Sequence, residues 1–408
     1  IYLRDQSKER ELCVKYNFDY VINRQGTLSY KWDARAKAFP GNPHVLPLWV
    51  ADTDFPCPKE ISDAIQKRAT HPIYGYSFTE DNFGELMANW QRKRNNWEID
   101  PRRVTFGNGI VPALNAIVTA FTKEGEGVII QPPVYYPFKE AIENNNRIVC
   151  NNELIDDGSR WIIDFDALER LAEKPQNKLL LLCNPHNPVS RVYEKKELLR
   201  IGEICLTNHV LIASDEIHSD LIYRHCKHIP IASLSQELSD ITVTAVSPSK
   251  TFNIAGLQIS AIIASNSILL KQFEAEMERR CYVPNLFGSV AFKTAYTNEG
   301  CVDYLEQLID YLWENYLFLD QYLKAYTPKI KCQRPEATYL LWLDCSELGL
   351  EPEWMEEFFV KEAGVGFDSG TWFGGKAEKY MRINIACPRS ILKECLDHIR
   401  TAYERRGF

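Results

Sequence analysis

Positive charge is in short supply in this chain. Lys and Arg number 47 against 55 Asp and Glu, a formal net charge of -8, which is the wrong sign for a protein that works on a phosphate backbone or an anionic membrane surface. Long apolar runs are also missing. Stretches such as Leu179 to Cys183 fall far short of the ~20 residues that a membrane-crossing helix needs. The first ten residues, Ile1 to Arg10, are polar and hold no apolar segment of the kind that directs secretion. No pair among the twelve cysteines has C-x-x-C spacing, and they are scattered from Cys13 to Cys395. That pattern excludes a small disulfide scaffold and predicts reduced thiols in a cytoplasmic protein. His218, His225 and His228 lie close together around Cys226, but no cysteine pair stands beside them, so no metal site is expected.

The chain has ample length. Its 408 residues exceed what one core usually fills and predict two or three structural units. Hydrophobic residues at 45% and charged residues at 25% are ordinary for a globular protein. Between about Ala113 and Ala264, short apolar runs (Gly127 to Ile130, Lys178 to Cys183, Val210 to Ser214, Ile241 to Val246, Ile259 to Ala264) alternate with helical patterns such as Lys195 to Leu206. Alternation of this kind predicts an α/β fold of buried parallel strands joined by helices. After about Glu299 the pattern changes to a long amphipathic helix, with Val302, Leu305, Leu308, Ile309 and Leu312 on one face, and then one strand-like run from Thr338 to Asp344. A smaller α+β unit is therefore expected at the C-terminus, completed by the residues before about Pro47.

Five motifs carry chemistry. Ser247-Pro-Ser-Lys250 follows directly on the predicted strand ending at Val246, which puts an amine between hydroxyls at a strand end, where a Schiff-base nucleophile belongs. Thirty-five residues upstream, Asp215-Glu-Ile-His218 places a carboxylate at the sheet edge where α/β folds bind ligands. A pyridinium nitrogen requires such an anionic partner. Cys183-Asn-Pro-His-Asn187-Pro188 is a turn stiffened by two prolines that leaves Asn187 free to donate. Gly107-Asn-Gly109-Ile110-Val-Pro112 opens a helix whose first N–H groups form a phosphate cradle. Pro133-Val-Tyr135-Tyr136-Pro137 offers rings that can stack on a flat heterocycle. Each of these has an ordinary structural reading as well: a solvated loop lysine, a turn, a helix cap, packed core rings.

Together the five elements, in the order cradle, ring, Asn, Asp, Lys, resemble the fold type I, aspartate aminotransferase-like enzymes that use pyridoxal 5′-phosphate. The strings Ser29-Tyr-Lys-Trp-Asp33, Leu46-Pro-Leu-Trp-Val-Ala-Asp52, Ser249-Lys-Thr-Phe-Asn-Ile-Ala-Gly256 and Arg382-Ile-Asn-Ile-Ala386 are similar to those of the MalY/PatB branch, which contains C–S lyases of the cystathionine β-lyase and cystalysin type. The resemblance runs from about Tyr16 to Arg389. It implies a large cofactor domain over 48–290, with a mostly parallel seven-stranded sheet between helices, and a small domain from 1–47 and 291–408.

By the same resemblance, Lys250 holds the cofactor and moves the Cα proton, Asp215 keeps the ring nitrogen protonated, Asn187 bonds the phenolic oxygen and Tyr135 stacks on the ring. His218 stands where the superfamily often has a tyrosine at the cofactor. Gly109, Ile110, Ser247 and Ser249 hold the phosphate, and Tyr76 reaches the phosphate of a neighbouring subunit, which implies a homodimer with shared sites. Arg382 grips the substrate α-carboxylate, with Tyr136 beside it. Three departures stand out. Gln258 replaces an arginine common on the phosphate, and Ser190 and Ala337 occupy positions where glycine is usual, so the loop geometry there is expected to differ.

The activity implied is β-elimination from L-cystathionine, L-cysteine or another S-substituted cysteine, giving thiol, pyruvate and ammonia. Two alternatives stay open from the sequence: an aminotransferase, and a protein that acts by contact with a protein partner.

Overall fold

The computed structural model describes residues 16–408. Residues 1–15, including Cys13 and the polar leading segment, lie outside that range.

The centre of the molecule is a seven-stranded sheet. Its strands in chain order are Val104–Gly107 (β1), Gly127–Ile130 (β2), Ile148–Asn151 (β3), Asn177–Cys183 (β4), Leu211–Asp215 (β5), Thr242–Val246 (β6) and Ser260–Ile263 (β7). In space they run β1-β7-β6-β5-β4-β2-β3. The strands β2 to β6 pair in parallel, and the apolar runs of β2, β4, β5 and β6 are buried, but for half-buried Leu211, because helices cover both faces, whereas the edge strand β3 is not buried. One expectation needs correction. The run predicted as a parallel strand over Ile259 to Ala264 is β7, which pairs antiparallel with both β6 and β1. The reason lies in the connection. A parallel return needs a crossover, usually a helix, whereas 247–259 holds only the turns around Lys250 and the short Ala255–Leu257 helix. The chain therefore folds back on itself.

A second, four-stranded sheet is formed by Lys331–Cys332 (β8), Leu340–Asp344 (β9), Asp368–Ser369 (β10) and Tyr380–Asn384 (β11), in the order β8-β9-β11-β10. The sequence pattern revealed β9 alone, since β8 and β10 are two-residue strands without periodicity. The predicted amphipathic helix spans Glu299–Tyr326 and buries Leu305, Leu308, Ile309 and Leu312 against this sheet and the Arg389–Arg406 helix, in one continuous apolar core. Leu46–Pro47 pairs in parallel with Val365–Gly366, tying the N-terminal residues to the C-terminal part of the chain. Both loops with unexpected residues are left-handed: Ser190 at φ 55° and Thr338 at φ 66°. A left-handed backbone is unusual for a β-branched residue. Here Ser190 Oγ donates to the Leu340 carbonyl and lies 3.1 Å from Thr338 Oγ1, so the two strained turns hold each other. No helix among the described residues is long and apolar enough to cross a membrane.

Candidate active site

The C-terminal ends of β4, β5 and β6 open onto one cavity of about 320 Å³, lined among others by Gly109, Ile110, Tyr135, Asn187, Asp215, His218, Ser249 and Lys250. Five separate sequence motifs thus meet at one place. Parallel strands explain why: each delivers the residues that follow it to the same edge of the sheet.

Lys250 follows β6 on a turn and donates from Nζ to the Ala51 carbonyl at 2.7 Å. Burial pulls its amine down to about 8; Arg382 pulls the same way and the carboxylates of Asp52 and Asp215 oppose it. Asp215 is the last residue of β5. Its Oδ1 accepts from the Ile217 N–H at 3.1 Å, and it forms no ion pair among the described residues. Burial lifts its carboxyl to about 7. The next residue, Glu216, accepts from His228 Nε2 at 2.8 Å and from the Ser214 hydroxyl at 2.9 Å, so it faces away from the cavity. His218 is buried, its Nδ1 has no partner among the described residues, and burial pushes its imidazole down to about 3. It is a neutral ring standing edge-on to Tyr339, 6.2 Å away.

Asn187 uses its Oδ1 to accept from Arg382 Nη1 at 2.9 Å, which leaves its amide nitrogen as a donor. Its carbonyl accepts from the Tyr135 N–H at 3.0 Å and so fixes the ring. Arg382, on β11, is buried and also donates from Nη2 to the Trp49 carbonyl and to Asp368, its direct cross-strand neighbour. Among the described residues its Nε has no partner, nor has Asp368 Oδ1. Burial raises the Asp368 carboxyl to about 6, against the pull of Arg382.

Gly109 caps the Ile110–Phe121 helix at φ 83° and ψ 169°, a conformation open to glycine only, and a Cβ there would lie 2.7 Å from Gln258 Oε1. The helix start, with its unpaired first-turn N–H groups, lines the cavity beside Ser249 and Gln258. Four predicted residues stand off the wall: Arg382, which is joined to it through Asn187, and Ser247, Tyr136 and Tyr76. Ser247 lies behind it, bonding the Ile259 carbonyl at 2.7 Å and Ser249 Oγ at 2.6 Å. Tyr136 lines a neighbouring chamber. Tyr76 is 100% exposed and lies at a separate hollow with Val283 to Phe287.

Sequence reasoning missed Asp368 and the carbonyls of Trp49 and Ala51. A main-chain acceptor leaves no mark in a sequence. An acid inside the apolar run Val365-Gly-Phe-Asp368 is a usable signal, because a buried carboxylate requires a cation nearby.

The residues suit pyridoxal 5′-phosphate. A buried carboxylate lacking a cation matches a protonatable ring nitrogen, a depressed amine matches an aldehyde, and a glycine-capped helix start matches a phosphate. Comparison with known proteins points the same way. Residues 43–399 match the aminotransferase class I and II family. Cystathionine beta-lyase PatB of Bacillus subtilis is 40% identical over 95% of this chain and 99% of its own length. A PLP-bound putative aminotransferase from Clostridium difficile superposes with a TM-score of 0.92 at 39% identity, covering 95% of this chain and all of that one. Cystalysin from Treponema denticola, whose crystal structure contains a pyridoxal 5′-phosphate cofactor, gives 0.92 at 35% identity, covering 96% and 99%. The chain belongs to the aminotransferase class I and II family and groups within it with PatB.

Proposed function

We propose that the chain is a pyridoxal 5′-phosphate-dependent C–S lyase that removes the sulfur substituent of L-cystathionine or a related S-substituted cysteine by β-elimination. The observation that carries this reading is the meeting of Lys250, Asp215 and Asn187 at one cavity, with the buried Arg382 bonded to Asn187, in a chain 40% identical to a cystathionine beta-lyase over nearly its whole length.

The cofactor supplies a sink for the electron pair left at Cα when its proton is removed. The remaining roles fall to this chain's side chains. Lys250 anchors the cofactor and moves the Cα proton, a task suited to an amine whose affinity for protons is lowered by burial. Asp215 pairs with the ring nitrogen, Asn187 donates from its free amide nitrogen to the phenolic oxygen, and Tyr135 covers the ring, with neutral His218 alongside. Gly109, Ile110 and Ser249 take the phosphate, and Ser247 orients Ser249. Arg382 holds the α-carboxylate through Nε, its unpartnered donor, which lysine could not imitate. The Cβ–S bond breaks, sulfur leaves with the electron pair and is protonated to the thiol, and the remaining enamine hydrolyses to pyruvate and ammonia.

The active form is a homodimer in which the exposed Tyr76 serves the partner's phosphate site. The chain divides into a large domain, 48–290, and a small one from 1–47 and 291–408, consistent with β1 to β7 falling in the first and β8 to β11 in the second. The compartment is the cytoplasm, in keeping with eleven described cysteines that are all free thiols.

The test is pyruvate release from L-cystathionine by purified protein loaded with the cofactor. Wild type is expected to turn over and Lys250→Ala to bind amino acid without releasing pyruvate. Good turnover of L-alanine with a 2-oxo acid, and no pyruvate from thioethers, overturns the lyase assignment in favour of transamination.

A further inference from the structure

Two loops that carry the working groups of the cavity are bonded to each other behind its wall. Lys250 and Ser249 line the cavity, whereas the next residue, Thr251, is fully buried outside that lining, and its hydroxyl donates to Asp220 Oδ2 at 3.0 Å. Asp220 stands five residues after Asp215, on the turns that follow β5. There the Ser219 N–H donates to the Glu216 carbonyl at 3.0 Å and the Leu221 N–H to the His218 carbonyl at 2.9 Å. A single carboxylate thus joins the chain that presents Asp215 and His218 to the turn that carries Lys250, although the two follow different strands.

The carboxylate is itself held from behind. Asp220 is 6% exposed, and its Oδ1 accepts from the indole N–H of Trp90 at 3.0 Å. One turn further along the same helix, Phe83–Asn95, Arg94 donates from Nη2 to the Asp220 carbonyl at 3.2 Å, and its Nε lies 3.7 Å from Oδ1. Arg94 is fixed in turn by Glu306 at 2.6 Å, on the long helix Glu299–Tyr326. Burial raises the Asp220 carboxyl, and Arg94, Thr251, Trp90 and His228 all draw it down. A buried carboxylate is costly unless its oxygens are bonded. Here each oxygen has a side-chain donor, and one of those donors belongs to the residue beside Lys250.

We propose that Asp220 is a positioning residue for the Lys250 amine: by bonding Thr251 it fixes the lysine turn against the chain that presents Asp215 and His218, with Trp90 and Arg94 as its backing. The lysine side chain is the moving part, and its alignment with the reacting atoms is kept only if the main chain beneath it stays still. This inference rests on Lys250 being the working amine of the lyase reading above.

Two measurements test it in Thr251→Val, Asp220→Ala and Asp220→Asn. In the cofactor-free protein, acylation of Lys250 by an amine-selective reagent is followed against pH by mass spectrometry. In the cofactor-loaded enzyme, kcat and KM are measured for pyruvate release from L-cystathionine. Freeing the turn lets water reach the amine, so Thr251→Val and Asp220→Ala should move the midpoint up from about 8 by about one pH unit. Asp52, Asp215 and Arg382, the charged groups that act on the amine, are unaltered in these variants. The same two changes should lower kcat roughly ten- to a hundredfold, with KM within about twofold of wild type because Arg382 keeps its partners. Asparagine still accepts from Trp90, and its amide nitrogen can donate to the Thr251 hydroxyl, so Asp220→Asn should recover most of what Asp220→Ala loses. Leu392→Ala, in the buried core under the Arg389–Arg406 helix, lowers Tm without touching either turn and should leave the midpoint and kcat in place. Thr251→Val and Asp220→Ala proteins with the wild-type midpoint and kcat overturn the proposal. So does an Asp220→Asn as impaired as Asp220→Ala, or a Leu392→Ala that moves the midpoint equally. Absence of pyruvate from wild type overturns the lyase reading instead, and the acylation midpoints then decide the role of Asp220 by themselves.

Discussion

Asp368→Asn is the most informative single substitution. Asp368 and Arg382 are cross-strand neighbours, both buried, and the carboxylate bonds the same guanidinium that the proposed function assigns to the substrate carboxylate. The two carboxylates compete for one charge. Asparagine keeps the shape and one acceptor for Nη2 but removes the negative charge, which leaves Arg382 held and uncompensated. Breaking a buried pair from one side costs about 3–5 kcal/mol. For a cooperative chain of 408 residues that lowers Tm by about 4–6 °C. The same vacancy should strengthen the grip on substrate, with KM falling roughly three- to tenfold, about 0.7–1.4 kcal/mol. Thermal melts of the cofactor-free protein read the first effect and initial rates of pyruvate formation read the second. An added amino acid should restore part of the lost Tm in the variant and less in wild type. A variant with unchanged Tm and KM refutes the competition, and so does a raised KM at unchanged Tm, because Asp368 would then serve only to orient Arg382.

Other substitutions follow from the same geometry. Gly109→Ala forces an alanine into a glycine-only conformation at about 1–3 kcal/mol and should weaken cofactor retention, read by titrating the apo protein and following absorbance. Because burial depresses the Lys250 amine, its reaction with an amine-selective acylating reagent in the cofactor-free protein should show a midpoint near pH 8; a midpoint near 10.5 contradicts its burial. Asp215 binds its proton more tightly in the folded chain than in the unfolded one. It stabilises the cofactor-free protein below the unfolded value of 3.8 and loses that contribution as pH rises towards about 7. The Tm of Asp215→Asn should therefore gain on wild type between pH 4.5 and 7.5, and a constant difference across that range contradicts the assignment.

The parts of this molecule that were legible in its sequence share a physical cause. Strands buried on both faces must be apolar throughout, so β2, β4, β5 and β6 announce themselves, and each is followed by the residue that chemistry needs at its C-terminal end. The strands that went unread are those in which burial imposes no such rule. At the sheet edge, β3 has exposed ends around a half-buried Val149-Cys150 pair beside an asparagine-rich turn, and β1 is only four residues long after two arginines. Orientation was misjudged for β7 because an apolar run records burial and not direction. Within the site, Lys250, Asp215 and Asn187 could be singled out by type and position. Ser247 could not be separated from Ser249, since two hydroxyls two residues apart look equivalent until one of them is found bonded to the Ile259 carbonyl.

Lys250 and Arg382 share a segment whose main chain supplies an acceptor to each. Residues 48–54 are bonded to the second sheet and to the loop that carries Lys250. Leu48 exchanges backbone hydrogen bonds with Gly366 and Asn384, Asn384 also donates to the carbonyls of Val50 and Asp52, and Asn253 from the lysine loop donates to Thr53. Outside, Arg24 pairs with Asp52 at 2.7 Å and Lys31 with Asp54 at 2.7 Å. From this strap the Trp49 carbonyl accepts from Arg382 and the Ala51 carbonyl from Lys250. The arginine that would hold the carboxylate and the amine that would move the Cα proton are thus referenced to acceptors two residues apart on one fixed piece of backbone, although they come from different sheets. Alignment of reacting groups contributes to rate only when such a reference is rigid. When the Lys250 nitrogen is engaged elsewhere, Ala51 still accepts from the Tyr339 hydroxyl at 3.1 Å, so the strap keeps its place while the lysine moves.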